Sequence, residues 1–308
     1  MPRHLRCVRC VHLGMLWSTL CMVGLLSSLA VAADPPAQVS SIFAKPNLAA
    51  WCIVPFDASR RGPEQRAAML KQLGFTKLAY DWRDEHVPTF EQEIQCLQAQ
   101  GIELFAFWCP GFDSPPYRSM VSLIEKYKLH PQIWLIAPAQ EAASQEERVE
   151  INARALLPYV KDSMRLGCTF ALYNHGGWSG EPANMVAMTK WLRNEAKTDT
   201  VGIVYNFHHG HEHFAQFPEA FREMLPYLTC VNLNGMTIGG EKILPIGSGK
   251  EDRKMLEMVR DSGYRGPIGI LDHRPEIDAE KSLRENLDGL KKMLQELGDT
   301  QAAATFVP

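Results

Sequence analysis

The chain has 308 residues, with 32 Lys and Arg against 35 Asp and Glu for a formal charge of -3, 46% hydrophobic residues and eight cysteines. That balance offers no basic footprint, so nucleic acid and anionic lipid are not expected as partners. No Gly-rich nucleotide loop of the G-x-G-x-x-G or G-x-x-x-x-G-K-[ST] type occurs either.

Residues 1–33 hold Arg3, Arg6 and Arg9 without an acidic residue, then the apolar stretch Met15 to Leu26, then Ala30-Val31-Ala32. A basic start, an apolar middle and an A-x-A end describe a cleaved secretory signal peptide. The apolar run is short for a membrane span and no second one follows, so the mature chain is expected to be exported, periplasmic or extracellular, with no stable span. Removing the three arginines takes the formal charge from -3 to -6. It leaves Cys52, Cys96, Cys109, Cys168 and Cys230, an odd number lying mostly in apolar segments, which reads as buried thiols without a disulfide framework.

Residues 34–45, with Pro35, Pro36, Ser40 and Ser41, read as a linker. From there one alternation repeats. Short apolar runs rich in aliphatic and aromatic residues occur at Leu48 to Phe56, Thr76 to Trp82, Ile102 to Trp108, Gln132 to Ala137, Cys168 to Tyr173, Val201 to Phe207, Thr229 to Leu233 and Pro267 to Leu271. Such runs are strands covered on both faces. Amphipathic helical segments separate them, among them Pro63 to Leu73, Thr89 to Gln100, Glu147 to Leu166, Ala183 to Ala196, Phe217 to Leu228, Glu251 to Ser262 and Ala279 to Leu297. Thr89 with Gln92 and Ser144 with Glu147 fit the capping-box spacing. Gly74, Gly101, Gly167 and Gly263 stand between a helix and the next strand, the slot where a left-handed residue closes a helix. Eight strand-helix units in strict order predict one α/β domain, a (β/α)8 barrel over residues 46–298, followed by a frayed tail at 299–308.

In such a barrel the groups that do chemistry gather where strands end. Those positions carry Asp57, Asp81, Arg83, Asp84, Trp108, Glu141, Asn174, His175, Asn206, His208, His209, His211, Asn232, Asn234, Asp272, His273 and Arg274. The segment Val201 to His213 is the densest: an apolar run empties into four histidines within six residues. Imidazole binds metals and moves protons near neutral pH. Gly247-Ser248-Gly249 follows strand seven, where many barrels hold a phosphate, although an exported protein favours an unphosphorylated carbohydrate. The plain alternatives are a polar loop for the histidines, lid packing for Trp82 and Trp108, and a surface ion pair for Asp272 with Arg274.

L-Y-N-H-G-G at 172–177, G-I-V-Y-N-F-H-H at 202–209, V-N-L-N-G at 231–235, P-I-G-S-G at 245–249 and the G-I-L-D-H-R and S-L-R-E-N-L ending resemble the xylose isomerase-like barrels. These include sugar isomerases, sugar epimerases and relatives of endonuclease IV. The resemblance implies proton abstraction beside a sugar carbonyl, often assisted by a divalent metal. The family's ligand positions match Tyr173, Asn206, Asn232 and Asp272 here, three of them neutral. Three outcomes stay open on the residues. A shifted site would hold zinc, manganese, iron or nickel through His208, His209, His211 and Asp272. With the metal, His209 or Asp272 would be the base, and Trp108, Asn174, His175, Asn206, Asn232, Asn234 and His273 would bind substrate; a metal-free enzyme would use His209 as base, with the asparagine amides holding hydroxyls or a developing oxyanion. A third possibility is a carbohydrate-binding barrel without turnover; a glycoside hydrolase would need a carboxylate pair drawn from Asp81, Glu141 and Asp272.

Overall fold

The computed structural model describes residues 41–306, so the expected signal peptide and residues 34–40 of the expected linker lie outside the described residues. Eight parallel strands close into a barrel in sequence order: β1 Leu48–Trp51, β2 Lys77–Tyr80, β3 Glu103–Trp108, β4 Gln132–Leu135, β5 Thr169–Tyr173, β6 Val201–Asn206, β7 Leu228–Leu233 and β8 Ile268–Leu271. β8 returns to β1 through the pairs Leu48 with Ile268 and Trp51 with Leu271, which leaves no open edge.

Among the described residues there are eleven α-helices, nine in the connections and two after β8: α1 Pro63–Leu73, α2 Phe90–Ala99, α3 Pro115–Tyr127, α4 Gln145–Arg154, α5 Leu157–Arg165, α6 Gly177–Gly180, α7 Pro182–Ala196, α8 Phe217–Met224, α9 Asp252–Asp261, α10 Ala279–Glu296 and α11 Thr300–Ala303. Side chains alternate across each strand, and this sorts the core into two layers. Leu48, Ala50, Leu78, Tyr80, Phe107, Phe170, Ile203 and Ile270 join the layer packed under the helices. Ala49, Trp51, Phe105, Trp134, Tyr173, Val204, Cys230 and Leu271 make up the other, which fills the barrel. Within it the Trp51 ring meets Trp134 edge-on at 4.9 Å and Tyr173 at 5.8 Å between centroids. These large rings plug the lumen, so any ligand is confined to the mouth where the strands end.

The helix stops are as expected, with Gly74, Gly101, Gly167 and Gly263 all at positive φ. Ser144 accepts a hydrogen bond from the Glu147 amide at 3.1 Å. Other expectations are corrected. Thr89 caps nothing: its hydroxyl donates back to the His86 carbonyl, because residues 84–89 already form a 3-10 helix. The helix expected over Glu147 to Leu166 breaks into α4 and α5, since Pro158 brings no amide hydrogen for the carbonyl of Arg154 and its ring collides there. Pro226 likewise ends the helix expected to run to Leu228 at Met224, with a 3-10 turn beyond. All five cysteines of residues 41–306 are free thiols, as expected.

Residues 299–306 of the tail expected to fray are packed, its last two residues lying outside the described ones. Asp299 caps α11 by accepting from the Ala302 amide, Ala302, Ala303 and Phe306 are buried, and Thr305 accepts from the Lys45 amide at 2.8 Å. The end of the expected linker is packed as well, with Ile42, Phe43 and Ala44 buried. Ile42, Phe43, Ala302, Ala303 and Phe306 join the core layer packed under the helices, which polar composition alone did not reveal.

α10 also carries a close approach that sets up the loop after β7. Asn286 accepts from the Ile246 amide at 3.0 Å, and a Cβ added at Gly289 would run into the Ile246 carbonyl oxygen. Gly289→Ala should therefore destabilise the protein by about 1–3 kcal/mol from overpacking, although the same change in an exposed helix stabilises by about 1 kcal/mol. Urea unfolding gives the sign directly.

Candidate functional site

The mouth of the barrel holds a cavity of about 410 Å³, its outer opening included, lined by Trp51, Cys52, Phe56, Asp81, Arg83, Trp108, Tyr173, His175, His208, His209, Leu271 and His273. Every one of these residues belongs to a strand end or the loop behind it. Trp51, Trp108 and Tyr173 form the apolar floor, with Trp108 and Tyr173 edge-to-face at 5.1 Å. Trp82 is held by its indole N–H donating to the Trp108 carbonyl at 2.7 Å. The lid-packing reading thus fits Trp82, whereas Trp108 lines the cavity.

The acidic group comes from β2. Cys52, at φ 59°, turns the chain after β1 so that the Val54 amide points at Asp81 and donates to its Oδ1 at 3.1 Å. The left-handed backbone is costly for a residue with a Cβ, and it recurs at sites that function constrains. Asp81 is 2% exposed, and its second oxygen, Oδ2, is buried without a hydrogen-bond partner. Burial pushes its carboxyl up to about 6, against the pull of the Val54 amide and Arg83. Arg83 donates to the carbonyls of Asp81 and Trp82 and lies 5.3 Å over the Phe56 ring.

The imidazoles form a chain of contacts. Ring centroids are 4.3 Å apart for His175 and His209, 4.2 Å for His208 and His209, and 5.7 Å for His208 and His273. His273 packs against Phe56 with centroids 3.8 Å apart and the rings tilted by 49°. Burial, then the neighbouring His208 and His175, push His209 down to about 3. Burial and then His273 push His208 down to about 4, and burial and Arg83 lower His273. At neutral pH these three are uncharged rings that each present one donor and one acceptor.

The asparagines build the wall instead of lining it. Asn174 accepts from the Asn206 amide at 2.6 Å and donates to the Asn206 carbonyl at 3.1 Å, joining the ends of β5 and β6. Asn206 donates to the Tyr173 hydroxyl and accepts from the His208 amide at 3.0 Å, which aims the histidine loop. Asn234 donates to the Gly235 and Lys242 carbonyls, and Asn232 accepts from the Cys230 thiol. Hydroxyl binding by Asn174, Asn206, Asn232 and Asn234 is thereby corrected: all four are fully buried and absent from the lining.

Asp272 is corrected in the same way. The cavity takes Leu271 and His273 from the end of β8, while the Asp272 carboxylate turns to the Ser282 hydroxyl and the Arg274 guanidinium. Asp272 is fully buried and Arg274 is 9% exposed, so this is no surface pair. Burial pushes the Asp272 carboxyl up to about 7 against those two partners. Asp81 and Arg83 stood among the strand-end residues without a role in the isomerase reading, although D-W-R-D directly after the second strand was the signal, and Trp51, Cys52, Phe56 and Leu271 also line the cavity without having been expected there.

The positions that the resemblance matched to metal ligands do not fit an ion. Tyr173 is a phenol that burial pushes far up, and it accepts hydrogen bonds from Trp51 and Asn206. The side-chain oxygens of Asn206 and Asn232 already accept from protein donors, and Asp272 accepts through Oδ1 from Ser282 and Arg274, its Oδ2 buried without a partner and outside the cavity lining. The alternative set fares no better. His211 turns its Nε2 to the Lys242 carbonyl at 3.3 Å, away from His209, and among the described residues no group of three or more His, Cys, Asp or Glu is disposed to hold a metal. His213 faces Glu181 at 3.0 Å on the rim.

The loop at Gly247-Ser248-Gly249 has no free amide for a phosphate. Asp252 accepts from the amides of Met236, Gly247 and Gly249 at 2.6, 2.7 and 2.9 Å, and the amides of Ser248 and Lys250 go to Pro245 and Thr237. A carboxylate of the chain itself sits where a phosphate would. That reading of the loop is corrected.

No family model matches the chain, and no curated protein matches it. Solved structures do. A 3-keto-D-glucoside 4-epimerase from E. coli aligns at a TM-score of 0.56 and 16% identity over 82% of this chain and 100% of that one. The IolI protein with a binding zinc atom aligns at 0.62 and 12% over 81% and 98%. A D-psicose 3-epimerase with D-tagatose from Clostridium cellulolyticum aligns at 0.52 and 15% over 84% and 96%. Identities this low carry architecture and no activity. With its closed eight-stranded ring, this chain shares the fold of the xylose isomerase-like barrels.

Proposed function

We propose that the cavity binds an unphosphorylated carbohydrate and moves a proton on the carbon beside its carbonyl, as sugar isomerases and epimerases do. The observation that carries this reading is Asp81: one oxygen anchored by a backbone amide, the other buried without a partner in the lining, and a pKa raised towards neutrality. A general base is most effective when its pKa lies near the working pH. His209, pushed down to about 3, is a poor base and serves better as a neutral donor to an oxygen.

In this mechanism the Asp81 carboxylate takes the carbon-bound proton. The electron pair moves onto the carbonyl oxygen to give an enediolate. The Arg83 guanidinium and the imidazole N–H groups of His175, His208, His209 and His273 stabilise the charge that develops there. Return of that proton to the former carbonyl carbon, with the hydroxyl proton of the neighbouring carbon passing to the former carbonyl oxygen, gives an aldose-ketose shift. Delivery of a solvent proton to the same carbon from the opposite face, with Asp81 later releasing the proton it took, gives an epimer. Trp51, Trp108 and Tyr173 give the apolar C–H face of the sugar ring a wall and exclude water.

The other readings are weaker on the same geometry. A glycoside hydrolase needs two facing carboxylic acids. Asp81 is the only one in the lining, while Glu141 is exposed beside Arg148 and Asp272 faces α10. The saturated phosphate loop favours an unphosphorylated ligand.

The test is solvent exchange. Incubation with a panel of unphosphorylated aldoses and ketoses in D2O should put deuterium on the carbon beside the carbonyl, read by NMR. Sugar binding without exchange would leave a non-catalytic barrel. Because the mismatch of donors supports a metal-free step, dialysis against EDTA should leave the exchange rate unchanged. A loss restored by zinc or manganese would overturn the role given to Asp81.

A further inference from the structure

Next to the inner cavity lies a second, wider cleft of about 880 Å³, open to solvent and lined by Trp82, Arg83, Asp84, Glu85, Trp108 and the segment Cys109 to Gly111. Arg83 and Trp108 line both spaces, so the two are neighbours that share one guanidinium and one indole. Asp84 and Glu85 are exposed carboxylates, acceptors suited to sugar hydroxyls, and they stand in the first turn of the 3-10 helix at 84–89. The next residue along the rim, Phe112, is 44% exposed. It is no loose side chain: its amide donates to the Tyr159 hydroxyl at 2.7 Å and its ring rests on Tyr117 and Tyr159 at 5.0 and 5.1 Å. A cleft lined by an indole and exposed carboxylates, with a fixed solvent-facing aromatic next in the chain, is chemistry that suits a sugar's C–H face and hydroxyls.

We infer that this outer cleft is a subsite for a second sugar unit, so the substrate is a reducing disaccharide, with the reacting unit inside and its neighbour on the Trp108 rim. This rests on the carbohydrate reading above.

Gly111 supplies the test. Its φ is ordinary and a Cβ there meets nothing within 4 Å, so Gly111→Trp fills the cleft without straining the backbone. Deuterium exchange is followed with cellobiose against glucose and with lactulose against fructose. The variant should lose at least tenfold in kcat/KM on the disaccharides and keep the monosaccharide rates within twofold. The double variant Asp84→Ala, Glu85→Ala should lower disaccharide kcat/KM in the same selective way, and it serves if the tryptophan disturbs folding. Equal losses on both classes make the cleft a mere entrance, and no loss on either makes it bystander surface; both results overturn the subsite. If wild-type protein neither binds nor exchanges any of the four sugars, the carbohydrate reading itself fails. If it handles the monosaccharides and rejects the disaccharides, only the subsite fails.

Discussion

Asp81→Asn should abolish deuterium exchange, by 10³-fold or more, and at the same time make the barrel more stable above about pH 6. The first half follows from the role: an amide cannot take a proton from carbon, and positioned general bases contribute roughly 10²–10⁴-fold. The second half follows from burial. Asp81 is raised from an ordinary 3.8 to about 6, and each unit corresponds to about 1.36 kcal/mol, so holding the charged form inside the protein costs about 3 kcal/mol at pH 7. The native carboxyl binds its proton more tightly than the unfolded one. Wild-type stability therefore falls as pH rises from about 4 to about 6, and stays reduced above. Asparagine has no such dependence and can still accept from the Val54 amide. Its NH2 replaces the unpartnered Oδ2 at a cost of about 1–3 kcal/mol, leaving a gain at pH 8 of up to about 2 kcal/mol. Urea unfolding of both proteins at pH 4 and pH 8 is the measurement: the difference in favour of the variant must widen with pH. A difference independent of pH would mean that Asp81 is not a desolvated carboxylate. The same group sets the acid limb of the exchange rate, which should fall as pH drops through about 6.

The architecture was legible because it is written in repetition. Short doubly covered strands, helices ending at Gly74, Gly101, Gly167 and Gly263, and strict alternation admit one closed topology. The site was legible in place, since strand ends had to meet, but less so in roles. His175, His208, His209, His273 and Trp108 line the cavity as expected. The asparagines and Asp272 do not, because polarity at a strand end does not say whether a side chain faces the ligand or ties two strands together. Asn174 illustrates this: both of its hydrogen-bonding groups are consumed by the backbone of Asn206. Asp81 was visible as a strand-end acid, yet its importance comes from a neighbour's backbone, the turn at Cys52 that brings up the Val54 amide. No local pattern encodes that turn, because a left-handed cysteine leaves no signature in sequence. Asp252 was hidden for a similar reason, as only the folded loop shows its carboxylate collecting the amides of Met236, Gly247 and Gly249.

Arg66→Ala should cost about 3–5 kcal/mol, the largest loss expected of any single change outside the cavity. Arg66 and Glu93 lie on α1 and α2 and are 2% and 1% exposed, in a layer otherwise apolar. Arg66 pairs with Glu93 and donates to the Arg61 carbonyl at 2.6 Å, while Glu93 Oε1 has no other partner. Burial pushes the Glu93 carboxyl up and the guanidinium pulls it down. Removing the arginine strands a buried acid whose charged form nothing supports. Protonation relieves it, so the deficit of the variant should grow as pH rises and shrink in acid. A double replacement, Arg66→Met with Glu93→Leu, removes both charges and should recover most of the loss, since a desolvated pair is roughly matched by apolar side chains of similar size. The pair also reaches the site, because Arg66 helps hold Asp81 down. In the single variant the acid limb of the exchange profile should therefore move to higher pH, a shift that a purely structural defect would not produce. Stability lost without that movement would confine the pair to the scaffold.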